Sequence, residues 1–190
     1  VLDPIRRRFP GMKIVFEHLT TATAVAYVES QGENLGATIT PHHLMIDRNH
    51  ILVGGIQPHR YCLPVAKRGS DRTALRRAAT SGDRRFFLGT DSAPHLNSAK
   101  EGACGSAGIF NAPNVLPCLA QVFETEGALD RLEGFASEHG ASFYGLPLNT
   151  GRIELRRQAD PVQQPAVVMA AGEAIQVFDP GEALYWSVSR

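Results

Sequence analysis

Three short apolar stretches, each followed by polar residues, constrain the fold of this chain more than any other feature of its sequence. They cover residues 13–16, 37–40 and 85–89. Short runs rich in β-branched and aromatic residues predict buried strands, and the helical patterns that come after them predict strand-to-helix units. A chain built from such units forms a parallel α/β sheet, and the carboxyl edge of that sheet gathers the polar residues that follow each strand.

The helical patterns and the segments between them complete the predicted outline. Helices are predicted in four places: from a cap at Thr20 or Thr21 to about Ser30, at 71–81, at 114–126 and at 129–139. Residues 41–64, which are rich in histidine and proline, are predicted to form a long loop. Beyond residue 152, short β-like pieces alternate with Gly and Pro, which predicts an irregular tail or a small edge sheet.

The number of predicted strands limits the architecture further. A (β/α)8 barrel needs eight parallel strands and about 250 residues. An open sheet of only three strands would leave long unpaired edges. This chain of 190 residues is therefore expected to be either a small α/β layer or a barrel whose front is absent from the sequence.

The charge balance and the cysteine content narrow the expected partner and compartment. Lys plus Arg and Asp plus Glu number 19 each, so no overall field attracts a nucleic acid or an anionic membrane surface. The sequence also lacks the run of about 18 apolar residues that a membrane span needs. A small molecule or another protein is the expected partner. Three cysteines without C-x-x-C spacing favour a reducing, cytoplasmic compartment.

Polar groups that follow the first and third predicted strands are candidates for chemistry. His18 comes at the end of the first strand, whereas Asp91 and His95 share the turn after the third. A carboxylate and an imidazole that meet at the edge of a sheet suit metal binding and proton transfer. The alternatives are a histidine satisfied by a hydrogen bond near the core, for His18, and an Asx-turn with a surface histidine, for the later pair.

Other polar groups carry weaker signals. The predicted loop holds four histidines whose spacing matches no compact zinc signature, and they are interpreted mainly as polar loop groups: His42, His43, His50 and His59. No base is placed beside Cys62 by the sequence, so this cysteine is interpreted as a buried apolar residue. The Gly-rich segment at 101–108 is flexible enough to bring backbone amides to an anion, or is an ordinary surface loop.

Five motifs stand out when the chain is taken as a whole. They are Met-Lys-Ile-Val-Phe-Glu-His at 12–18, Ala-Thr-Ile-Thr-Pro at 37–41, His-Arg-Tyr-Cys-Leu-Pro at 59–64, Phe-Leu-Gly-Thr-Asp-Ser-Ala-Pro-His at 87–95 and Phe-Asn-Ala-Pro at 110–113. In this order and spacing they resemble the bacterial single-function dihydroorotases of the amidohydrolase superfamily. The resemblance implies a (β/α)8 barrel with two zinc ions bridged by a carboxylated lysine, a homodimer, and a reversible conversion of dihydroorotate to N-carbamoyl-L-aspartate.

The resemblance also implies roles for individual residues. His18 takes the place of a zinc ligand, and Asp91 that of a second zinc ligand which also acts as the general base. His95 takes the place of a histidine that binds the substrate carboxylate. The backbone of Leu63 takes the place of a contact to the pyrimidine ring, and the backbone amide of Ala107 that of a contact to the carboxylate.

Several family features are missing from the sequence. These are the His-x-His pair of the first strand, the lysine that becomes carboxylated, a further histidine ligand, and the arginine and asparagine that grip the carboxylate. The resemblance therefore implies that residues 1–190 are the C-terminal portion of a single barrel domain, about strands 6–8 with the C-terminal helices and tail. A non-catalytic or partner-binding remnant and a hydantoinase-like cyclic amidohydrolase are the alternatives.

Overall fold

A parallel three-stranded sheet lies at the centre of the fold in the computed structural model, which describes residues 2–189. Its strands are β1 (Ile14–Phe16), β2 (Leu35–Ile39) and β3 (Phe86–Leu88), in that spatial order. Both pairings are parallel, with Val15 opposite Gly36 and Ala37 opposite Phe86. The prediction of three parallel strands is confirmed.

Eight α-helices surround and extend this sheet within the described part of the chain. They are α1 (Leu2–Arg8), α2 (Ala22–Glu29), α3 (Pro41–Met45), α4 (Arg48–Leu52), α5 (Gly69–Ala79), α6 (Asn97–Glu101), α7 (Val115–Thr125) and α8 (His139–Tyr144). The first three predicted helices correspond to α2, α5 and α7. In place of the fourth, a 3-10 turn at Leu129–Arg131 leads to a π-helical turn at Gly134–Glu138 that runs into α8.

The prediction of one long loop at 41–64 is wrong, because α3, α4 and a 3-10 turn at Pro58–Arg60 lie within it. The Thr40 hydroxyl accepts a hydrogen bond from the His43 N–H at 3.1 Å and so caps α3. Asp47 caps α4 in the same way. Two capping residues thus outweigh a composition that is typical of loops.

The core lies between the sheet and four of the helices. Every residue of β2 is buried, as expected for the central strand. Helix α2 packs against α5, and α3 packs against both α5 and α7. The side chains that fill this space are apolar and almost inaccessible: Val25, Val28, Leu35, Ala37, Ile39, Leu44, Leu75, Ala78, Cys118, Leu119, Val122 and Phe123.

The last part of the chain forms two small antiparallel sheets, as the short β-like pieces of its sequence predict. Strand β4 (Glu154–Arg157) pairs with β7 (Trp186–Ser189), and β5 (Val167–Ala170) pairs with β6 (Glu173–Gln176). Strand β7 packs on α7, which joins this tail to the core. No helix in residues 2–189 combines the length and the apolar character that a bilayer crossing requires.

Candidate active site

His18 lies two residues beyond the end of β1 and has a left-handed backbone, with a φ of 40°. Its N–H donates to the Thr38 hydroxyl at 2.7 Å, and that hydroxyl donates to Glu17 Oε2 at 2.5 Å. The next residue, Leu19, donates its N–H to the Thr38 carbonyl at 2.9 Å. Because a strained backbone persists only where its surroundings hold it, one residue of the central strand determines how His18 leaves the sheet.

Asp91 lies three residues beyond the end of β3 and is also left-handed, with a φ of 43°. The carbonyl of Thr90, just before it, accepts a hydrogen bond from Asn111 Nδ2 at 2.8 Å. Gly89 allows the end of β3 to lie close to β2, since a Cβ added there would lie 2.6 Å from Thr38 Cβ. The turn that presents Asp91 therefore depends on a close approach between β3 and the central strand.

His18 and Asp91 are brought to one edge of the sheet. They follow the two outer strands, which flank β2 and run parallel to it. Each also acts on a buried neighbour: besides burial, the Asp91 charge raises the pKa of Cys62, and the His18 charge lowers the pKa of His42. Within residues 2–189 neither the His18 ring nor the Asp91 carboxylate forms a hydrogen bond, which leaves both available to an external ligand.

The structure corrects the interpretation of His42 and His43 as polar loop groups. Both lie in α3, with exposed fractions of 0% and 2%. Potential metal-ligand atoms of His42, His43 and Cys62 lie within 4.8 Å of one another. Burial lowers the pKa of His43 to about 4 and that of His42 well below its usual range, so both rings are neutral near pH 7.

The hydrogen bonds of this cluster leave no ligand atom of His43 free for a metal ion. Its Nε2 donates to the Pro64 carbonyl at 2.8 Å, and its Nδ1 is bonded to the Thr40 hydroxyl at 2.8 Å. Cys62 is buried, as its sequence context suggested, and burial raises the pKa of its thiol to about 11. A protonated thiol is a poor ligand, so we interpret the cluster as a neutral support for the edge of the sheet.

His42 is held by Asn111, a residue for which sequence reasoning proposed no role. Asn111 is fully buried, and its Nδ2 donates both to His42 Nδ1 at 2.8 Å and to the Thr90 carbonyl. Because an amide nitrogen can only donate, the ring proton of His42 lies on Nε2, which has no partner among the described residues. Asn111 stands in the Phe-Asn-Ala-Pro motif, which was the only signal in the sequence.

The other two histidines of the predicted loop are hydrogen-bonded to carboxylates at partly exposed positions. His50 Nδ1 lies 2.9 Å from Asp47 Oδ1, and His59 Nε2 lies 2.8 Å from Glu101 Oε1. Their interpretation as polar groups agrees with these positions.

The three residues expected to bind the substrate lie on neighbouring loops. His95 Nε2 donates to the Ala107 carbonyl at 3.0 Å. Gly108, with a φ of 154°, lets the loop pass the His95 ring, since an added Cβ would lie 2.7 Å from that ring. The Gly108 N–H donates to the Tyr61 carbonyl at 3.0 Å and so connects this loop to the segment that carries Leu63. The N–H groups of Leu63 and Ala107 find no backbone acceptor within residues 2–189.

Comparison with known proteins assigns the class. The family model described as the amidohydrolase family matches residues 6–168, and the chain belongs to this family. Its α/β fold is that of known dihydroorotase structures. The dihydroorotase from Saccharomyces cerevisiae in complex with 5-fluoroorotic acid superposes with a TM-score of 0.87 at 34% identity, over 99% of this chain and 54% of that one. The dihydroorotase from Campylobacter jejuni superposes with a TM-score of 0.86, also at 34% identity, over 100% of this chain and 55% of that one.

Sequence relatives point to one member of the class, as the five motifs predicted. The dihydroorotase of Chelativorans sp. (strain BNC1) is 61% identical over 188 residues, which is 99% of this chain and 54% of that protein. The chain thus spans about half the length of the curated relatives that it matches.

Proposed function

We propose that this chain forms part of a dihydroorotase, which interconverts dihydroorotate and N-carbamoyl-L-aspartate with the help of zinc. The observation that carries the proposal is the placement of His18 and Asp91. Both follow outer strands of one parallel sheet, both have a left-handed backbone, and neither side chain is hydrogen-bonded to any of the residues 2–189. Identity of 61% to a dihydroorotase supports the same reaction.

The complete protein in this proposal is a (β/α)8 barrel in a single domain. Residues 1–190 supply its C-terminal portion, about strands 6–8 with the following helices and tail. Three parallel strands and a length near half that of the relatives support this assignment. A homodimer and a cytoplasmic location complete the proposal, the latter supported by the free thiols of Cys62, Cys104 and Cys118.

His18 and Asp91 are the residues of this chain that would hold zinc. Imidazole nitrogen and carboxylate oxygen are ordinary zinc ligands, and both side chains lie at the sheet edge without a hydrogen-bond partner in the described part of the chain. Two ligands cannot hold two ions, so the other ligands belong to the remainder of the protein. The carboxylated lysine belongs there as well, since Nζ of Lys13, Lys67 and Lys100 donates to backbone carbonyls.

Each residue of the edge has a distinct part in the proposed reaction. Zinc, when bound, would lower the pKa of water and polarise the ring carbonyl. Asp91 accepts the proton of the attacking water and passes it to the departing ring nitrogen. The left-handed turns fix the directions in which His18 and Asp91 leave the sheet, so little reorganisation is needed when the substrate binds.

The loops of Leu63 and Ala107 would hold the substrate. Their unbonded N–H groups are suited to the oxygen atoms of the ring and of the carboxylate. His95 is oriented by its bond to the Ala107 carbonyl, and in the imidazolium form the Nδ1–H of the same ring would donate to the carboxylate. The three contacts together orient the ring against the metal site.

The test is an assay of dihydroorotate hydrolysis with the complete protein, in excess zinc and with bicarbonate to permit lysine carboxylation. Turnover together with two zinc ions per protomer is expected. The same assay on the 190-residue chain alone should show neither, and adding the rest of the protein in cis or in trans should restore both. A complete protein that binds zinc but hydrolyses another cyclic amide in preference would contradict the proposal, as would one without turnover.

A further inference from the structure

Lys100 is a buried ammonium outside the groups assigned above. It lies in α6, only 4% of its surface is exposed, and no carboxylate pairs with it in the described part of the chain. Instead its Nζ donates to three backbone carbonyls: Tyr61 at 2.8 Å, Ser106 at 2.8 Å and Gly108 at 2.7 Å. An ammonium has three N–H donors, so every donor is used.

A buried charge of this kind must be fully hydrogen-bonded, because removing it from water is otherwise costly. Hydrogen bonds from a charged donor are shorter and stronger than those between neutral groups. Lys100 therefore sets the distance between the chain segments that carry the three carbonyls. Its ammonium also lies 5.8 Å from the centre of the Tyr61 ring, which adds a contact to the same segment.

The three carbonyls lie close in the chain to the two backbone amides proposed for the substrate. Ser106 and Gly108 are the immediate neighbours of Ala107, and Tyr61 comes two residues before Leu63. The Tyr61 carbonyl accepts from both the Lys100 ammonium and the Gly108 N–H. One ammonium thus connects the loop of Ala107 to the loop of Leu63.

We propose that Lys100 is a positioning residue, which holds the N–H groups of Leu63 and Ala107 at the mutual distance that the substrate requires. It acts through the two loops and does not contact the substrate. This inference rests on the proposed function, because that function assigns the two amides to the substrate. The two amides bind the substrate in the ground state as well as in the transition state, so a relaxation of the loops should be measurable as weaker substrate binding.

The experiment compares Lys100→Met with Lys67→Met in the complete enzyme. Methionine keeps most of the apolar stem and removes the donors. Lys67 is a matched control, because it lies near the same loop and donates to a single carbonyl, that of Val65. We expect Lys100→Met to raise KM for dihydroorotate at least about tenfold with a smaller change in kcat and unchanged zinc content, as for a loss of ground-state binding. Lys67→Met should leave KM within about twofold.

Hydrogen exchange gives a second readout that does not depend on turnover. Peptides covering 58–66 and 101–108 should both exchange faster in Lys100→Met, because one tether serves both, and neither should change in Lys67→Met. If Lys100→Met does not fold, Lys100→Arg decides, since a planar guanidinium cannot reproduce three donors around one nitrogen. It should retain zinc but show the raised KM.

The possible failures are distinct. An active wild-type enzyme whose KM and exchange rates are unchanged by either Lys100 variant would overturn this inference alone. A rise in KM with an equally large fall in kcat and a reduced zinc content would also overturn it, because these changes together indicate a general structural role. A wild-type enzyme without dihydroorotase activity would overturn the proposed function, and the inference with it.

Discussion

The hydroxyl of Thr38 accepts the backbone N–H of His18 at 2.7 Å and thereby joins the central strand to the left-handed residue at the end of its neighbour. The same hydroxyl donates to Glu17 Oε2. One buried side chain of β2 thus bonds two successive residues of the turn that presents the proposed metal ligand.

Thr38→Val should lower both stability and zinc affinity. Valine has nearly the same shape but cannot accept from His18, and a buried N–H without a partner costs about 1–3 kcal/mol. The free energy of unfolding and the zinc dissociation constant would be measured in the complete protein. Thr38→Ser is the control, because it keeps the hydroxyl and should retain most of the zinc affinity. Wild-type zinc binding in Thr38→Val would contradict the role of this bond.

Asp91→Asn should abolish activity without lowering stability. Loss of a general base typically reduces the rate by about 10²–10⁴-fold, and a weaker metal ligand adds to that loss. Stability should be nearly unchanged, because Asn tolerates the left-handed backbone as Asp does. The measurements are kcat and the thermal midpoint, with the exposed Asp160→Asn as the control. Normal turnover with full zinc content in Asp91→Asn would contradict the mechanism.

Asn111→Asp tests whether the amide of Asn111 supports the turn before Asp91. A carboxylate cannot donate, so the Thr90 carbonyl would lose its donor. His42 can keep a partner, because its proton can move from Nε2 to Nδ1 and be donated to the new carboxylate. We expect a loss of about 1–3 kcal/mol in the free energy of unfolding for the unsatisfied carbonyl, together with lower activity per folded molecule.

The matched control for this variant is Asn114→Asp. Asn114 is also buried, but its Nδ2 donates to the Phe178 carbonyl at 2.7 Å, away from the turn. This control should lose stability and keep its activity per folded molecule. Equal effects of the two variants on activity would argue against a specific role for Asn111.

Stability should fall as the pH is lowered from about 7 towards 4. An unfolded histidine titrates near about pH 6.5. Burial lowers the pKa of His43 to about 4 and that of His42 well below its usual range. Between these values the unfolded state binds more protons than the folded state, so the stabilisation present above the unfolded pKa is lost on acidification.

Urea unfolding of the complete protein at several pH values, with a chelator to remove metal effects, would measure this dependence. The His42→Gln and His43→Gln double variant should have a flatter profile over the same range. A double variant that loses stability on acidification as steeply as the wild type would show that other groups are responsible.

The sequence by itself determined the strands and the residues that follow them. Apolar runs at 13–16, 37–40 and 85–89 depend on local composition, and the placement of His18 and Asp91 at one edge follows from parallel pairing. Helix α3 could have been predicted from the sequence, since Thr40 and Pro41 form a standard helix start. The histidines beside them favoured a loop instead.

Only the tertiary structure decided which polar groups are buried and what satisfies them. Lys100 meets the Tyr61 carbonyl 39 residues away, and Asn111 meets His42 across 69 residues. Neither pairing leaves a local pattern, because a donor's partner is chosen by how distant segments pack. His42 carries no sign in the sequence of its full burial, which arises only when α3 packs against α5 and α7. Through this packing, these polar residues hold the loops and turns of the proposed site in place.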